Sequence, residues 1–556
     1  AFNDTNTAYG KRVGHVFTEP GTWIIAVEVQ DMSGNVGTAQ ITHTVIDPDT
    51  VFTGNRTICV GAGDQTNYPG SQTVATVAAA ISALQGLSQT GRILLERGQT
   101  YNEQQLVIQN IPNFYLGAYG TGARPIVAGT GRATGGQSIF ANFSSNRDIQ
   151  FVGVQLQGPW DATTENGNLI KGYRRPGDDG DERDYELFYD CVFDGLEIAI
   201  DFGKQNNGLS STAWKGEYVH NCDFPSYQDM QIFHASAPMS YLSVTGSRLM
   251  QHPDAMMGQN GKYGSPRYNQ HTPHRAAWAG YCYYAAVEFF SRNNWTENSK
   301  PSTQSALRWN TGRKQGASGV VERCYLEGGR ANFNLEDAES AIDRANDNLL
   351  IEKCLCILSA DGRYFVISDT NGLTFRNNLC INPNVPRLKT GQDDSLLFTP
   401  GGLVNGAVPN EVYSNTFAHL KSDANILAAS WDGGTSGIRE LRGVVGLDGL
   451  QNFVDENNIL YCPNASGGQV AAEAVSTGLS ATALVTVAGA YSSYYLGAKW
   501  QPNFTTMQTQ WATPSGDVQV YEPTASSPFD GTATGIVAID DFWGNLRTGT
   551  PNQGAF

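Results

Sequence analysis

Between residues 251 and 285 the chain gathers His252, Asp254, Lys262, Tyr263, Arg267, Tyr268, His271, His274, Arg275, Trp278, Tyr281, Tyr283 and Tyr284, with three of its eight histidines. Imidazoles near neutrality exchange protons, and aromatic faces beside hydrogen-bonding groups are what a saccharide groove requires. The alternative is a loop whose aromatics bury against the body of the protein. Just downstream, Ala286–Asn293 contributes Glu288 and Arg292, and Ala306–Gly312 contributes Arg308, with Arg313 directly after it. Glycosidic hydrolysis needs two carboxyl groups about 5 to 9.5 Å apart. Asp229, Asp254, Glu288, Glu327, Glu336 and Asp337 are the carboxylates available here, and the sequence selects no pair among them. We take Arg308, Glu288, Arg292, His271 and His274 as catalytic candidates, and Arg275, Trp278, Tyr281, Tyr283, Tyr284 and Arg313 as substrate-binding candidates.

No metal ligand set is assigned. The histidines lack the spacing of a zinc helix. The acidic loop Gly177–Asp184 has oxygen ligands suited to calcium but not the spacing of a calcium-binding helix-loop-helix, so a cofactor stays undefined, with calcium the one candidate. No phosphate-binding loop, dinucleotide glycine pattern or nucleophile elbow stands in a strand-to-helix context.

The elements that hold these residues repeat. Short copies recur as Tyr189-Asp190-Cys191, His220-Asn221-Cys222, Thr245-Gly246-Ser247, Glu322-Arg323-Cys324, Glu352-Lys353-Cys354, Arg376-Asn377-Asn378, Tyr413-Ser414-Asn415 and Glu456-Asn457-Asn458. Each is followed by one residue and then an apolar one. The spacing varies in the way of a solenoid with insertions: one turn cannot bury its own apolar face, but stacked turns form a continuous core. The third position holds Cys, Ser or Asn, so Asn there is expected to build a side-chain ladder, and Cys191, Cys222, Cys324 and Cys354 are expected to be buried free thiols. Cys356 and Cys380 share the next apolar slot. The nine cysteines include no Cys-x-x-Cys.

Thr73–Ser88 carries Val74, Val77, Ala78, Ile81 and Leu84 at helical spacing, and the strand Arg92–Glu96 follows. A short amphipathic helix running into Ile93-Leu94-Leu95-Glu96-Arg97-Gly98-Gln99-Thr100-Tyr101 resembles the entry to pectate-lyase-like right-handed β-helices, where the helix covers the open end of the stack. Glu288 with Leu307-Arg308-x-x-x-Gly312, read as two consecutive rungs, resembles lyases of the chondroitinase-B and alginate-lyase type. The resemblance implies a calcium-binding carboxylate at Glu288 and an elimination-assisting Arg308. The Lys base of that family has no counterpart: its slot falls near Asn293, beside Arg292. Gly14–Trp23, followed by Ile25, Val27 and Val29, resembles the C-terminal half of a PKD-type immunoglobulin-like module. The earlier strands of such a module are missing, so the chain is expected to start inside a domain. Asp540–Arg547 and Gly554-Ala555-Phe556 resemble the closing segment of extracellular β-helix proteins.

The expected protein is all-β: a partial immunoglobulin-like segment over 1–50, a right-handed parallel β-helix over 51–465, and a C-terminal capping region over 466–556. A charged fraction of 16% against a usual ~25% excludes long charged helices. A net charge of −17 argues against a nucleic-acid surface, and no apolar run is long enough to span a membrane. The expected partner is a polysaccharide, bound and cleaved by a lyase or glycoside hydrolase at an extracellular, cell-surface or virion-associated location. The alternatives are a non-catalytic adhesin, a phage tail component or a structural surface protein.

Overall fold

In the computed structural model the described residues are 15–30, 35–87, 90–131, 137–142, 148–160, 170–175, 185–204, 216–225, 227–235, 241–250, 278–281, 288–292, 295–298, 305–310, 318–328, 331–336, 348–357, 364–368, 372–382, 398–400, 410–419, 453–456, 458–462 and 484–488. They form three long parallel sheets of 14, 13 and 10 strands, here sheets I, II and III, and one separate two-stranded sheet. Within each turn the chain visits sheet I, then II, then III, as in Tyr185–Tyr189, Val192–Asp194 and Leu196–Lys204. The next turn, Gly216–His220, Asp223–Phe224 and Tyr227–Ala235, lies on top of it strand for strand. The chain is a parallel β-helix, as the repeat requires. Its sheet II runs on to Leu484–Ala488, paired with Asn458–Cys462 and past residue 465.

The repeat is a corner. From Gln155 to Thr416 every passage from sheet I to sheet II takes two residues. The first of them has a left-handed backbone: Gly153, Asp190, Asn221, Gly246, Arg323, Lys353, Asn377 and Ser414 all have φ between 50° and 66°. The second is Val154 after Gly153 and the Cys, Ser or Asn slot after each of the others. Its side chain satisfies the backbone groups that the corner exposes. Cys222 Sγ donates to the carbonyl of His220 at 3.3 Å and to that of Phe188, one turn below, at 3.5 Å. Asn415 Nδ2 does the same to Tyr413 (3.0 Å) and Phe375 (2.8 Å). Asn also takes a backbone N–H of the turn below: Asn415 Oδ1 accepts from the Asn378 N–H at 2.9 Å, and Asn378 Oδ1 accepts from the Cys354 N–H at 2.9 Å. The ladder is present, and thiols occupy its other steps.

The seven cysteines whose side chains are described are free and buried, including Cys356 and Cys380 as register partners. Burial pushes the thiols of Cys222, Cys354 and Cys356 well above their ordinary range. Buried, protonated thiols are inert. Native protein should therefore react slowly with a thiol reagent at Cys191, Cys222, Cys324 and Cys354, with full reaction on denaturation; rapid labelling of these four in the native state would refute the corner alignment.

Inside the stack, Phe151, Phe188, Val219 and Val244 follow one another in register, and beyond Ser291 so do Val321, Ile351, Phe375 and Val412; these apolar residues belong to a single cluster. Each such side chain contributes ~1.5–3 kcal/mol. The helix covering the N-terminal end is Val77–Leu87, with Val77, Ala80, Ile81 and Leu84 buried. It starts later than its periodicity predicts, because Gln72–Val74 is taken as a strand beside Ile58–Val60. Thr76 Oγ1 and the Glu103 carboxylate then accept the first helical N–H groups. The N-terminal hairpin pairs Gly21–Gln30 with Val36–Val45 antiparallel through all ten residues. Lys11–Gly14 lies outside the described residues, and His15–Phe17 is not in a strand.

Candidate functional site on the outer face of sheet I

Register fixes which side chains can act together. Along sheet I, just before each corner, the paired residues are Tyr189, His220, Thr245, Arg292, Glu322, Glu352, Arg376, Tyr413 and Glu456. Strands stack about 4.8 Å apart, so this is a row of ionisable and hydrogen-bonding groups with one member per turn. The core side chains Phe188, Val219 and Val321 immediately precede three of its members, so by strand alternation the row lies on the opposite, outer face. The neighbouring outer row runs Leu187, Tyr218, Ser243, Phe290, Val320, Leu350, Thr374 and Glu411. Tyr218, Thr245, Leu350, Thr374, Arg376 and Glu411 are half-buried.

Arg376 Nε and Nη2 both donate to Glu352 Oε2 at 2.8 Å, and Nη1 donates to Tyr413 Oη at 3.3 Å. Burial works against the guanidinium's charge, but the Glu352 carboxylate more than reverses this, so its proton affinity is raised. Glu322 and Glu352 are register partners at 0% and 1% exposure. Lys353 Nζ stands 3.8 Å from Glu352 Oε1. The result is two carboxylates one strand apart, with Arg292 and Arg376 at the register positions on either side. That strand spacing is close to the ~5–5.5 Å separation of an acid and nucleophile in retaining glycoside cleavage.

At the other end of the row His220 is fully buried, with Ser243 Oγ at 3.3 Å from Nε2 and Thr245 Oγ1 against Nδ1. Burial, with a further push from His15, lowers its pKa to about 3. The unfolded ring, near 6.5, therefore binds a proton first. Stability is unaffected above that pH and falls as pH drops from 6.5 towards 3, by about 3 kcal/mol at pH 4 for this residue. Thermal melts between pH 7 and pH 4 should show wild type losing more than His220→Gln; parallel profiles would contradict the buried neutral ring.

Tyr218 lies flat on the sheet. A Cβ on its strand neighbour Gly216 would meet the Tyr218 ring and hydroxyl at 2.7–2.9 Å, so only glycine leaves room. Tyr185, 45% exposed, places its ring centroid 6.2 Å from that of Tyr218.

Of the residues expected from sequence, Glu288 and Arg292 lie on one strand of sheet I, Glu288 in register with Tyr241 and Ser318, Arg292 with Thr245 and Glu322. Arg308 lies on sheet III, in register with Ala279 and Asn334. Glu288 and Arg308 therefore belong to two faces of one turn and not to two consecutive rungs. Only 19 residues lie between them, and the chain next returns to sheet I at Ser318. Trp278 and Tyr281 sit on the strand beside Arg308, paired with Leu307 and Asn310. His271, His274, Arg275, Tyr283, Tyr284, Arg313 and the acidic loop 177–184 lie outside the described residues. The candidate carboxylates scatter: Glu327 is on sheet II, Asp229 and Glu336 are on sheet III, and Asp254 and Asp337 are undescribed. His220, Glu322, Glu352, Arg376 and Tyr413 were missed by sequence reasoning. Their signal was present, since each is the first residue of a repeat copy. Among the described residues no cluster of three or more His, Cys, Asp or Glu could hold a metal ion, and no helix is long and apolar enough to cross a membrane.

No family model matches the sequence, and no curated protein is similar to it. Among solved structures the chain is similar to the pectate lyase Pel9A, at 13% identity and a TM-score of 0.37 over 91% of this chain and 98% of that one. It is also similar to the lacto-N-biosidase of Eubacterium ramulus, at 11% identity and a TM-score of 0.33 over 73% of this chain and 63% of that one.

Proposed function

We propose that the protein binds a polysaccharide along the outer face of sheet I and cleaves it as a glycoside hydrolase. One observation carries this reading: the row from Tyr189 to Tyr413 repeats a hydrogen-bonding or charged group at every turn, matching a polymer that repeats its own hydroxyl and acid groups. In this reading Glu322 and Glu352 are the acid and nucleophile, Arg292 and Arg376 hold the charge state of the pair, and the tyrosines stack on sugar rings. Such a substrate puts the site of action outside the cell, on a cell surface or on a virion. The near-zero exposure of Glu322 and Glu352 favours a second reading, a binder that does not cleave, as in an adhesin or a tail component.

The test is a panel of polygalacturonate, alginate, chondroitin sulfate, xylan and mixed-linkage β-glucan, assayed for retention, for new reducing ends and for ultraviolet-absorbing unsaturated ends. Reducing ends without unsaturation are expected, and Glu322→Gln should lower turnover at least ~100-fold with binding retained. Unsaturated ends would instead make the reaction an elimination. Retention without cleavage selects the second reading, and neither retention nor cleavage removes both.

A further inference from the structure

The I–II corner carries a second set of polar groups on its N-terminal turns, one residue past the row. Asp190, Asn221 and Asn377 fill the left-handed corner position with a side chain, and at Gly153 the same place is empty. The point where a Cβ would sit there has Arg97 Nη2 and Asp190 Oδ2 as its nearest neighbours, each 3.8 Å away. Arg97 follows the strand two positions to one side of Gly153 in sheet I, and Asp190 follows the strand next to it on the other side. Opposite charges thus border the gap without joining in an ion pair. Asp190 is fixed from elsewhere: its Oδ1 accepts from Arg124 Nη2 at 2.8 Å and from Asn221 Nδ2 at 3.2 Å. Among the described residues nothing pairs with Asp190 Oδ2 or with the Arg97 guanidinium, and Arg124 Nε is buried without a hydrogen-bond partner. Arg97, Arg124 and Asp190 are half-buried while Gly153 is buried, so the charged rim reaches solvent and the floor is backbone.

We propose that this gap is a sugar-binding subsite for a vicinal diol, in which one hydroxyl accepts from Arg97 Nη2 and its neighbour donates to Asp190 Oδ2. The inference rests on the glycan reading above and adds a specificity-determining contact beyond the row, on the corner that follows Tyr189. Polar groups left unsatisfied around one point call for a ligand with hydrogen-bonding groups of its own. A donor and an acceptor facing each other across a gap match two adjacent hydroxyls, each of which both gives and takes a hydrogen bond. An acid group in the gap would meet like charge at Asp190 Oδ2. Backbone conformation alone does not demand glycine at 153, since Asp190 and Asn221 hold a left-handed φ of 53° with a side chain. Glycine there keeps the place open for a ligand to approach the backbone.

The test uses the full chain and two variants. Gly153→Asn fills the gap with a side chain that the fold already accepts at the same backbone position in Asn221 and Asn377. Arg97→Gln removes the cation from the rim. On whichever polysaccharide of the panel retains wild type, each variant should weaken retention about tenfold, as expected for a lost hydrogen bond to a charged group, with unchanged melting temperature. Should Gly153→Asn lower the melting temperature, Arg97→Gln alone decides. If Arg376→Ala weakens retention while the corner variants match wild type, the subsite is overturned and the glycan reading stands. If the corner variants weaken retention and Arg376→Ala does not, the subsite stands and the row is not the binding path. If wild type is retained by none of the five, both fall together.

Discussion

Arg175→Ala is expected to be the most damaging single substitution in the solenoid. Arg175 is 1% exposed, with its guanidinium 2.9 Å from carboxylates on two successive turns, Glu186 and Glu217. Burial alone disfavours its charge; the two carboxylates and Tyr173 outweigh that and keep it protonated. Tyr173 Oη donates to Glu186 at 2.7 Å, and Asn142 Nδ2 donates to Tyr173 Oη at 3.1 Å. Removing the guanidinium leaves two carboxylates in the interior without their shared counter-charge. Breaking a buried ion pair from one side costs ~3–5 kcal/mol, a large part of a typical total of ~5–15 kcal/mol. Urea unfolding should show that loss, with proteolytic nicking concentrated between residues 170 and 220 because a solenoid's stability is summed from neighbouring turns. The triple change Arg175→Met/Glu186→Gln/Glu217→Gln should recover most of it, since a buried pair replaced as a whole is often neutral. A loss under 1 kcal/mol for Arg175→Ala alone would contradict the network.

The second large effect is expected at Asn378. Its carbonyl accepts from the Cys354 N–H, and its amide donates to the Ile351 carbonyl and to Asn415 Oδ1, at 2.9–3.0 Å and with no exposure. Asn378→Ala strands two backbone groups of the turn below, the Cys354 N–H and the Ile351 carbonyl, at ~1–3 kcal/mol each, so about 3 kcal/mol or more should be lost. Asn378→Ser should cost less than half as much, because Ser247 serves the same slot: its hydroxyl accepts from Cys222 N–H at 3.2 Å and donates to the Thr245 carbonyl at 3.1 Å. Equal losses for Ala and Ser in chemical denaturation would mean that the slot needs volume and not hydrogen bonds.

The slot was legible in the sequence because it is local. A left-handed residue followed by Cys, Ser or Asn is a two-residue event, repeated often enough to align by eye, and it fixed the stacking order of Cys191 and Cys222 and of Cys324 and Cys354. The outer row was not legible in the same way. Its members are 24–47 residues apart in sequence and become neighbours only through strand register. Glu322 and Glu352 look like ordinary charges until both are seen to precede the same corner. Arg308 was misplaced for the converse reason: its nearness to Glu288 in sequence suggested successive rungs, whereas connections within one turn carried it to another sheet.

The corner also divides the molecule into parts that evolve under different rules. Between sheets I and II the passage takes two residues at turn after turn, while the passage from II to III ranges from the single residue Gly195 to the 27 residues 251–277. One residue added at the first kind of corner inverts the alternation of the strand that follows and turns its apolar set outward. The same addition at the second kind only lengthens a loop. Insertions and new specificities should therefore accumulate along the II–III and III–I edges, and the I–II edge should act as a reading frame: intolerant of single-residue indels, yet permissive to gain or loss of a whole turn, because every turn re-enters it in the same phase.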